Sequence, residues 1–262
     1  DTHVIPAGQV FTDWREMADA PKMADAVLIC TQDAMHVEPA IAFAEAGYHI
    51  LLEKPMAPDA DGCRQIVEAI EKAGVTFAVA HVSRYTTYRQ QLKKMLTDGL
   101  IGDIVSMQRL EPVGYWHQAH SFVRGNWRNE EESSFMLLAK SCHDIDWIRY
   151  MMGASCEAVS SFGSLRHFRP EEAPDGATAR CLDCPVEADC PYSAKKIYLG
   201  RLADGHTGWP VDVLTPEPTV ESVTEALREG PYGRCVYACD NDVVDHQVVN
   251  MRFANETTAA FT

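Results

Sequence analysis

The sequence contains no apolar run long enough for a membrane-spanning helix, which needs about 20 such residues. Its first residues, 1–6, lack the charged and apolar pattern of a secretory signal peptide. Basic residues are also scarce, because 23 lysines and arginines face 38 aspartates and glutamates, for a formal net charge of −15. A chain this acidic is repelled by phosphate-rich partners. These shortages argue against membrane and nucleic-acid partners.

A second absence concerns glycine. No G-x-G-x-x-G occurs anywhere, although a dinucleotide-binding domain usually opens with a strand that leads into this turn. At the other end, residues 247–253 and 257–262 flank a turn and are typical of a β-hairpin interrupted in its second strand. We therefore expect the chain to be an internal part of a longer protein, inactive by itself, with much of a pyrophosphate site outside it.

The residues that are present point first to one strand, residues 50–52. This apolar run follows a helix-ending Ala-Gly pair and predicts a buried strand of a parallel sheet. The strand leads into Glu53, Lys54 and Pro55, and ligands bind at the carboxyl ends of strands in such sheets. A lysine there is open to partial desolvation, which suits it to proton transfer. The alternative is a solvated Glu-Lys pair in a loop.

A similar apolar strand, residues 24–31, precedes this one, and a helix follows it from His36. Three more motifs come later in the chain: His81-x-x-Arg84-Tyr85, Gly99-x-Ile101-Gly102, and His143-x-x-Asp146 shortly before Gly153. The order of these motifs over most of residues 10–160 resembles the glucose–fructose oxidoreductase, inositol dehydrogenase and rhizopine-catabolism (Gfo/Idh/MocA) family. The resemblance implies a Rossmann domain, a nicotinamide cofactor, and hydride transfer on sugars or polyols.

The resemblance also implies roles for particular residues. Lys54 is expected to bind the reacting hydroxyl and, together with His143, to carry its proton. Asp146 matches the acid that follows the family's histidine, and we place it among the substrate-binding residues. The expected cofactor-binding residues are Thr31, His36, Glu53, Lys54, Pro55, His81 and Arg84.

One position departs from the family. Many members carry an aspartate one turn before the active-site histidine, but this chain has Ala139 there, followed by Lys140. We expect Lys140 to act in catalysis in place of that carboxylate, orienting a hydroxyl with its positive charge. It is also a candidate to hold a substrate carboxylate, unless it reaches solvent or an acid such as Asp144. Residues 135–152 are predicted to form one helix, with Lys140 and His143 on the same face.

Residues 114–128 are dense in aromatic, histidine and arginine side chains and show no apolar periodicity. Such a segment suits a sugar, because aromatic faces stack on the C–H groups of the ring while polar groups hold its hydroxyls. The predicted substrate contacts are Tyr115, His120, Arg124 and Trp127. The alternative is a connecting loop anchored by tryptophan, in which His120 and Trp127 only pack.

The nine cysteines, an odd and scattered set, favour a reducing compartment such as the cytoplasm over a disulfide framework. The pattern Cys181-x-x-Cys184-x5-Cys190 lets two thiolates occupy neighbouring corners of a tetrahedral metal site. We predict one structural zinc ion bound by these three cysteines. Its fourth ligand is expected to be Cys235 or Cys239, and His206 and His246 are less favoured candidates. The alternatives are free thiols, disulfides and an iron–sulfur cluster, although the spacing matches neither common ferredoxin pattern.

The predicted fold is an α/β protein in two parts. Residues 1–100 form a Rossmann-like parallel sheet from which the first βαβ unit is missing. Residues 101–262 form an α+β domain with a largely antiparallel sheet, interrupted by a cysteine-rich, mostly loop-like insertion at about 165–240. Helices are predicted near 13–18, 35–45, 59–72 and 84–97, and further strands near 75–80 and 104–110.

The leading hypothesis is an NAD- or NADP-dependent sugar or polyol dehydrogenase that forms a homo-oligomer through its C-terminal sheet. The presence of both Lys54 and His143 favours activity. The alternative is a non-catalytic sensor that kept the fold, which Ala139 supports, since fold alone does not fix function. A small zinc-binding interaction domain is a third hypothesis, but it leaves the Rossmann-like half unexplained.

Overall fold

Three short apolar strands form a parallel sheet in the computed structural model, which describes residues 5–262. They are β1 (Ala26–Ile29), β2 (His49–Leu52) and β3 (Phe77–Val79), in the order β1-β2-β3. Alternate residues of β1 and β2 are buried, whereas Leu28 and Leu51 point to the other face and are 66% and 41% exposed. The predicted parallel sheet is confirmed, but its strands are buried on one face rather than on both.

Helix α3 begins and ends at the residues that the sequence marks, whereas α2 and α4 begin two and three residues later than predicted, at Val37 and Thr87. Asp59 caps α3, accepting a hydrogen bond from the backbone N–H of Gly62 at 2.7 Å, and Gly74 ends the helix with φ of 66°. Both predictions are confirmed. The helices are α1 (Trp14–Asp19), α2 (Val37–Glu45), α3 (Ala60–Ala73) and α4 (Thr87–Thr97), with short 3₁₀ helices at Ala7–Gln9, Asp33–Met35 and Val82–Tyr85.

The chain divides into two compact units after Leu92, somewhat before the predicted boundary near residue 100. The second unit contains a mixed, mostly antiparallel sheet, as predicted. Its strands are β4 (Ser106–Arg109), β5 (Cys156–Ser164), β6 (His246–Phe253) and β7 (Thr258–Phe261), in the order β4-β7-β6-β5. Strands β6 and β7 form the predicted hairpin, and only the β4–β7 pair is parallel.

The predicted helix over 135–152 is two helices, α6 (Met136–Ala139) and α7 (Cys142–Met152). Lys140 and Ser141 lie between them, and Ser141 leaves helical geometry with φ of −91° and ψ of 5°. Serine, cysteine and histidine stand in a row here, and all three favour helices less than leucine or methionine does. The prediction of one helix with Lys140 and His143 on a shared face is therefore wrong.

Most residues of the insertion lie outside helices and strands, as predicted, but the insertion is not a loose loop. Its buried residues, among them Tyr198, Val211, Val223 and Leu227, form a core of their own. The segment before α6 joins this core as α5 (Tyr115–His117) and a π-helix (Gln118–Arg124). The other helices here are a π-helix at Lys195–Gly200, α8 (Arg201–Ala203), α9 (Val220–Glu229), and 3₁₀ helices at Pro170–Glu172, Glu187–Asp189 and Pro231–Gly233.

A further result concerns membranes. None of the helices between residues 5 and 262 combines the length and the apolar character that a membrane span requires.

Candidate functional site

The carboxyl edge of the parallel sheet collects most of the predicted cofactor residues. Thr31 follows the end of β1, Glu53 and Lys54 follow β2 directly, and His81 follows β3. Because the three strands are parallel neighbours with β2 in the centre, these residues lie along one edge. Threonine, glutamate and lysine at half-buried positions are groups that suit the hydroxyls of a cofactor ribose and of a substrate. The edge thus fits the nicotinamide end of a dinucleotide.

The His36 side chain links two loops at this edge. It is fully buried, with Nδ1 2.8 Å from the carbonyl oxygen of Pro55 and Nε2 3.1 Å from that of Thr31. The ring therefore links the loop after β1 to the loop after β2. A ring enclosed in this way has no surface for a cofactor, so the prediction that His36 contacts the cofactor is wrong, and His36 positions the loops instead.

The Glu53-Lys54-Pro55 segment has a defined local structure. The Glu53 carboxylate accepts a hydrogen bond from the backbone N–H of Lys54 at 3.2 Å, and the Lys54–Pro55 peptide bond is cis. Lys54 is half-buried, and so are His81 and Arg84. Pro55 is buried and offers its carbonyl to His36. The roles predicted for Glu53, Lys54, His81 and Arg84 stay predictions.

The second unit contains a cavity of ≈ 350 Å³ near the ends of β4 and β7. Ligand sites for small molecules typically enclose about 300–1,000 Å³, so a single sugar ring fits. The cavity joins two predicted regions, because Tyr115 belongs to the aromatic segment and Ser141 stands just before α7, which carries His143 and Asp146. Its polar lining includes Glu111, Tyr115, Gln118, Ser141, Tyr192 and His246.

Four charged side chains form a chain of ion pairs beside this cavity. Lys140 Nζ lies 3.2 Å from Glu111 Oε1, and Arg109 Nη2 lies 2.5 Å from Glu111 Oε2. Arg109 also donates to Asp144 Oδ1 from Nε at 2.9 Å and from Nη2 at 2.7 Å. Burial raises the pKa of Asp144, and the hydrogen bonds from Arg109 oppose that rise. Lys140 is thus matched by Glu111 rather than by Asp144.

Arg109 and Glu111 were missed by the sequence reasoning. Arg109 is the last residue of β4, and Glu111 follows the strand two residues later, before Pro112. The rule that directed attention to Lys54 concerns parallel sheets, so it gave no signal for these two residues of a mostly antiparallel sheet.

Two predicted substrate contacts lie in the interior. His120 is 2% exposed, with Nδ1 2.8 Å from the Tyr198 hydroxyl and its ring stacked on Tyr232 at 4.8 Å between centroids. Arg124 is 1% exposed, and its Nε donates to the carbonyl oxygen of Arg234 at 2.7 Å. Neither side chain has surface for a sugar, so the predicted substrate contacts at His120 and Arg124 are wrong.

Trp127 and Tyr115 differ from these two. Trp127 is partly buried and packs on Phe122, with ring centroids 6.2 Å apart. Tyr115 is 58% exposed and lines the cavity, as a substrate-contacting residue would. Substrate contact stays a prediction for both residues and for Asp146, which is half-buried on α7.

The buried imidazole of His120 has a consequence for stability. Burial, with the charges of His117 and Arg124, lowers the pKa of His120 from 6.5 to about 4. Below about pH 6.5 the His120 imidazole binds a proton in the unfolded chain but stays neutral in the folded protein. The free energy of unfolding therefore falls as the pH drops towards 4. The expected contribution is up to about 1.4 kcal/mol per pH unit and about 3 kcal/mol in all.

This prediction is checked by urea unfolding between pH 7.5 and 4.5. The His120→Gln variant should show a shallower dependence of unfolding free energy on pH than the parent, whatever its absolute stability. His206→Gln, at an exposed position, is the matched control and should retain the parental slope. Equal slopes for the parent and His120→Gln would contradict the prediction.

The cysteines of the insertion meet around one small cavity of ≈ 20 Å³. The turn in which Cys184 N–H donates to Cys181 O, together with the bridge between Arg180 and Arg234, brings these sequence-distant thiols to the same place. The cysteines that line it are Cys181, Cys184, Cys190 and Cys235.

The structure does not support the predicted zinc site at these thiols. Across the part of the chain that the structure describes, no group of three or more histidine, cysteine, aspartate or glutamate side chains is placed to hold a metal ion. Burial raises the pKa of Cys190, Cys235 and Cys239, whereas hydrogen bonds from the backbone and from Thr178 lower the pKa of Cys184. Cys239 turns its thiol to the carbonyl of Cys235 at 3.2 Å. The zinc prediction is corrected accordingly.

Comparison with known protein families gives two matches. Residues 2–81 match the family model described as "Oxidoreductase family, NAD-binding Rossmann fold". Residues 89–182 match the "GFO/IDH/MocA C-terminal domain". The two models follow each other in the chain and cover both the parallel sheet and the start of the second unit.

Curated relatives share a moderate identity with the chain. The 2,7-anhydro-N-acetylneuraminate hydratase of Escherichia coli is 30% identical over 150 residues, which are 57% of this chain and 39% of the relative. The 1,5-anhydro-D-fructose reductase of Ensifer adhaerens is 29% identical over 230 residues, which are 85% and 67%. The chain thus spans less than half the length of the first of these relatives.

Solved structures show the same fold. The scyllo-inositol dehydrogenase from Lactobacillus casei, with bound NAD(H) and scyllo-inositol, superposes with a TM-score of 0.58 at 18% identity. The match covers 96% of this chain and 53% of that one.

Proposed function

We propose, because the chain belongs to the GFO/IDH/MocA oxidoreductase family, that the protein is an NAD- or NADP-dependent dehydrogenase acting on a secondary alcohol of a sugar or polyol. The family membership rests on the two matched models. The observation that carries the proposal is the single edge on which Thr31, Glu53 and Lys54 follow parallel strands. Relatives named as a sugar reductase and an inositol dehydrogenase support the same class of substrate.

In this proposal each of the named residues has a separate role. Glu53 accepts hydrogen bonds from ribose hydroxyls, and Lys54 binds the reacting hydroxyl and receives its proton. The catalytic role that the family resemblance implies for His143 stays a prediction. When bound, the nicotinamide supplies the hydride acceptor, and the protein supplies orientation and charge. The glycine-rich turn for the pyrophosphate is not in this sequence, so the residues named here concern the nicotinamide end only.

The reaction itself is the part that family membership does not fix. One relative is named a hydratase rather than a dehydrogenase, and one fold serves several chemistries. A non-catalytic sensor is the other candidate, which Ala139 favours because it removes a carboxylate from the active-site helix region.

The test uses the full-length gene product. Reduction of NAD and of NADP is followed at 340 nm across a panel of sugars, polyols and their anhydro forms, in parallel with calorimetric titration of both nucleotides. We expect turnover of at least one neutral sugar or polyol. Nucleotide binding without turnover of any member of the panel would overturn the dehydrogenase proposal in favour of a sensor.

We also propose that the protein assembles through the open face of the C-terminal sheet. Phe162 on β5 stands opposite Val248 on β6, and these residues are 74% and 41% exposed. Contiguous apolar surface of this kind marks an interaction site in most proteins. The nine free thiols support a reducing compartment, so we place the protein in the cytoplasm.

Replacing Phe162 by lysine should break this assembly. A charge placed in the centre of an apolar contact is desolvated without a partner, so the complex should dissociate to a smaller species. Light scattering after size-exclusion chromatography measures the mass of the full-length parent and variant. Val220→Lys, a change of an exposed valine on α9 (59% exposed), should leave the mass unaltered. A monomeric parent, or an unchanged Phe162→Lys mass, would contradict the proposal.

A further inference from the structure

An arginine-lined cleft of ≈ 290 Å³ lies in the second unit, between the segment that follows the π-helix Gln118–Arg124 and the end of α9. The charged residues that line it are four arginines and one acid: Arg124, Arg128, Arg180, Arg234 and Glu229. The chain as a whole has a formal net charge of −15, and the proposed dehydrogenase chemistry uses none of these residues. Positive charge is therefore concentrated at one place in an acidic protein.

Two of the arginines have carboxylate partners outside the lining. Asp240 Oδ1 accepts a hydrogen bond from Arg128 Nε at 2.9 Å and another from Arg234 Nη1 at 2.5 Å. Arg128 Nη1 also lies 2.8 Å from Glu132 Oε2. The hydrogen bonds from Arg128 and Arg234 lower the pKa of Asp240, so this carboxylate stays ionised. Asp240 and Glu132 thus balance the charges of Arg128 and Arg234.

The other two arginines pair with no carboxylate among residues 5–262. Arg124 donates to the carbonyl oxygens of Arg234 and Tyr192 and to the Cys181 sulfur, while its buried Nη1 has no hydrogen-bond partner. Arg180 Nη2 donates to two carbonyl oxygens at the end of α9, and its buried Nε has no partner either. Two guanidinium charges at the cleft are therefore not matched by an acid of the described chain.

The burial of Arg124 makes this imbalance costly. Its side chain is 1% exposed, and an arginine is almost never fully buried unless it is paired, because a charge is poorly stabilised away from water. The phenol of Tyr198 supplies no compensating charge, since burial raises its pKa. Glu229, the acid in the lining, is exposed to solvent. An anion bound in the cleft would supply the missing counter-charge.

The number of guanidinium groups indicates which anion fits. Arginine binds phosphate through pairs of N–H donors, and several arginines around one cavity can contact several oxygens of a tetrahedral oxyanion. We propose that the arginine-lined cleft is a phosphate site, which binds inorganic phosphate or the phosphate group of a sugar phosphate, and that Arg124 and Arg180 are the charges this ligand balances. The site is an addition to the proposed dehydrogenase function and does not depend on it.

The test is calorimetric titration of the full-length protein in chloride buffer, with inorganic phosphate in one arm and glucose 6-phosphate in the other. We expect binding that weakens as the salt concentration rises, because exposed charges are screened. Arg180→Met should weaken it by about 10–100-fold, the usual effect of losing hydrogen bonds to a charged group. Tighter binding of the sugar phosphate identifies an attached phosphate as the ligand, and equal or weaker binding identifies the free ion.

A second variant distinguishes binding from an effect on folding. Glu229→Gln removes a like charge from the lining and should tighten phosphate binding by about 2–5-fold. Glu221→Gln, at the other end of α9, removes the same charge away from the cleft and should match the parent. Thermal denaturation without phosphate shows that each variant is folded. A parent that binds neither compound, or parental affinity in Arg180→Met or in Glu229→Gln, would overturn the proposal and leave the dehydrogenase function untouched.

Discussion

Replacing Lys54 by alanine in the full-length protein is expected to lower kcat by about 10²–10⁴-fold, the usual contribution of a positioned acid–base group. Lys54 stands at the carboxyl end of the central strand β2, and its half-buried position limits its contact with water. In the proposed mechanism, this change removes the group that binds the reacting hydroxyl and receives its proton. Steady-state kinetics with the best substrate from the panel measures this loss.

The loss should fall on turnover and not on cofactor affinity. Calorimetric titration of the nucleotide should give a similar Kd for the parent and for Lys54→Ala, because the proposed role of Lys54 concerns the substrate. Lys72→Ala, an exposed lysine at the end of α3, is the matched control and should keep parental kinetics. Unchanged kcat in Lys54→Ala would remove this residue from the mechanism, and a weaker Kd with normal kcat would make it a cofactor-binding residue only.

Replacing Asp144 by alanine should have the largest effect on stability, about 3 kcal/mol or more of unfolding free energy. Asp144 is 4% exposed and accepts two hydrogen bonds from Arg109, which is 23% exposed. Removal of one partner from a buried ion pair typically costs about 3–5 kcal/mol, because the other charge stays desolvated. The partial exposure of Arg109 places the expected value at the lower end. Urea unfolding of the parent and the variant measures the difference.

A double variant gives the complementary result. Arg109→Met with Asp144→Leu replaces the pair by apolar groups, which is often neutral for stability, so most of the loss should be recovered. Asp98→Ala, in an exposed pair with Lys94, should change stability by no more than about 0.5 kcal/mol. A loss below about 1 kcal/mol in Asp144→Ala would contradict the account of this ion pair.

The parallel sheet and its carboxyl edge were predictable because they depend on local signals. A short apolar run, an Ala-Gly or Gly stop and a capping aspartate each act over a few residues, as at Asp59 and Gly74. Three successive strands that are separated by helices have few ways to pack other than as a parallel sheet. The positions of Thr31, Glu53 and Lys54 on one edge followed from that arrangement.

The second unit was less predictable, because its structure depends on contacts between distant segments. Four of the seven residues of the π-helix Gln118–Arg124 are polar, yet all seven are buried, and Ala119 and Val123 pack in the core of the insertion. Sequence alone does not show that His120 meets Tyr198 or that Arg124 meets the carbonyl of Arg234. The ion pair between Glu111, which follows β4, and Lys140, which follows α6, is likewise not visible in the sequence. In the sequence, a polar residue that is buried against such partners cannot be distinguished from a polar residue that is exposed and binds a ligand.

The ring of His36 has a consequence for the carboxyl edge of the parallel sheet. Because one imidazole contacts the carbonyls of both Thr31 and Pro55, a single buried side chain links the loops after β1 and β2. Such a link restrains Thr31 and Lys54 relative to each other. A dinucleotide that docks on this edge meets groups already ordered relative to each other, so little conformational entropy remains to be lost on binding. Preorganisation of the nicotinamide end is thus built into a residue that the ligand does not touch.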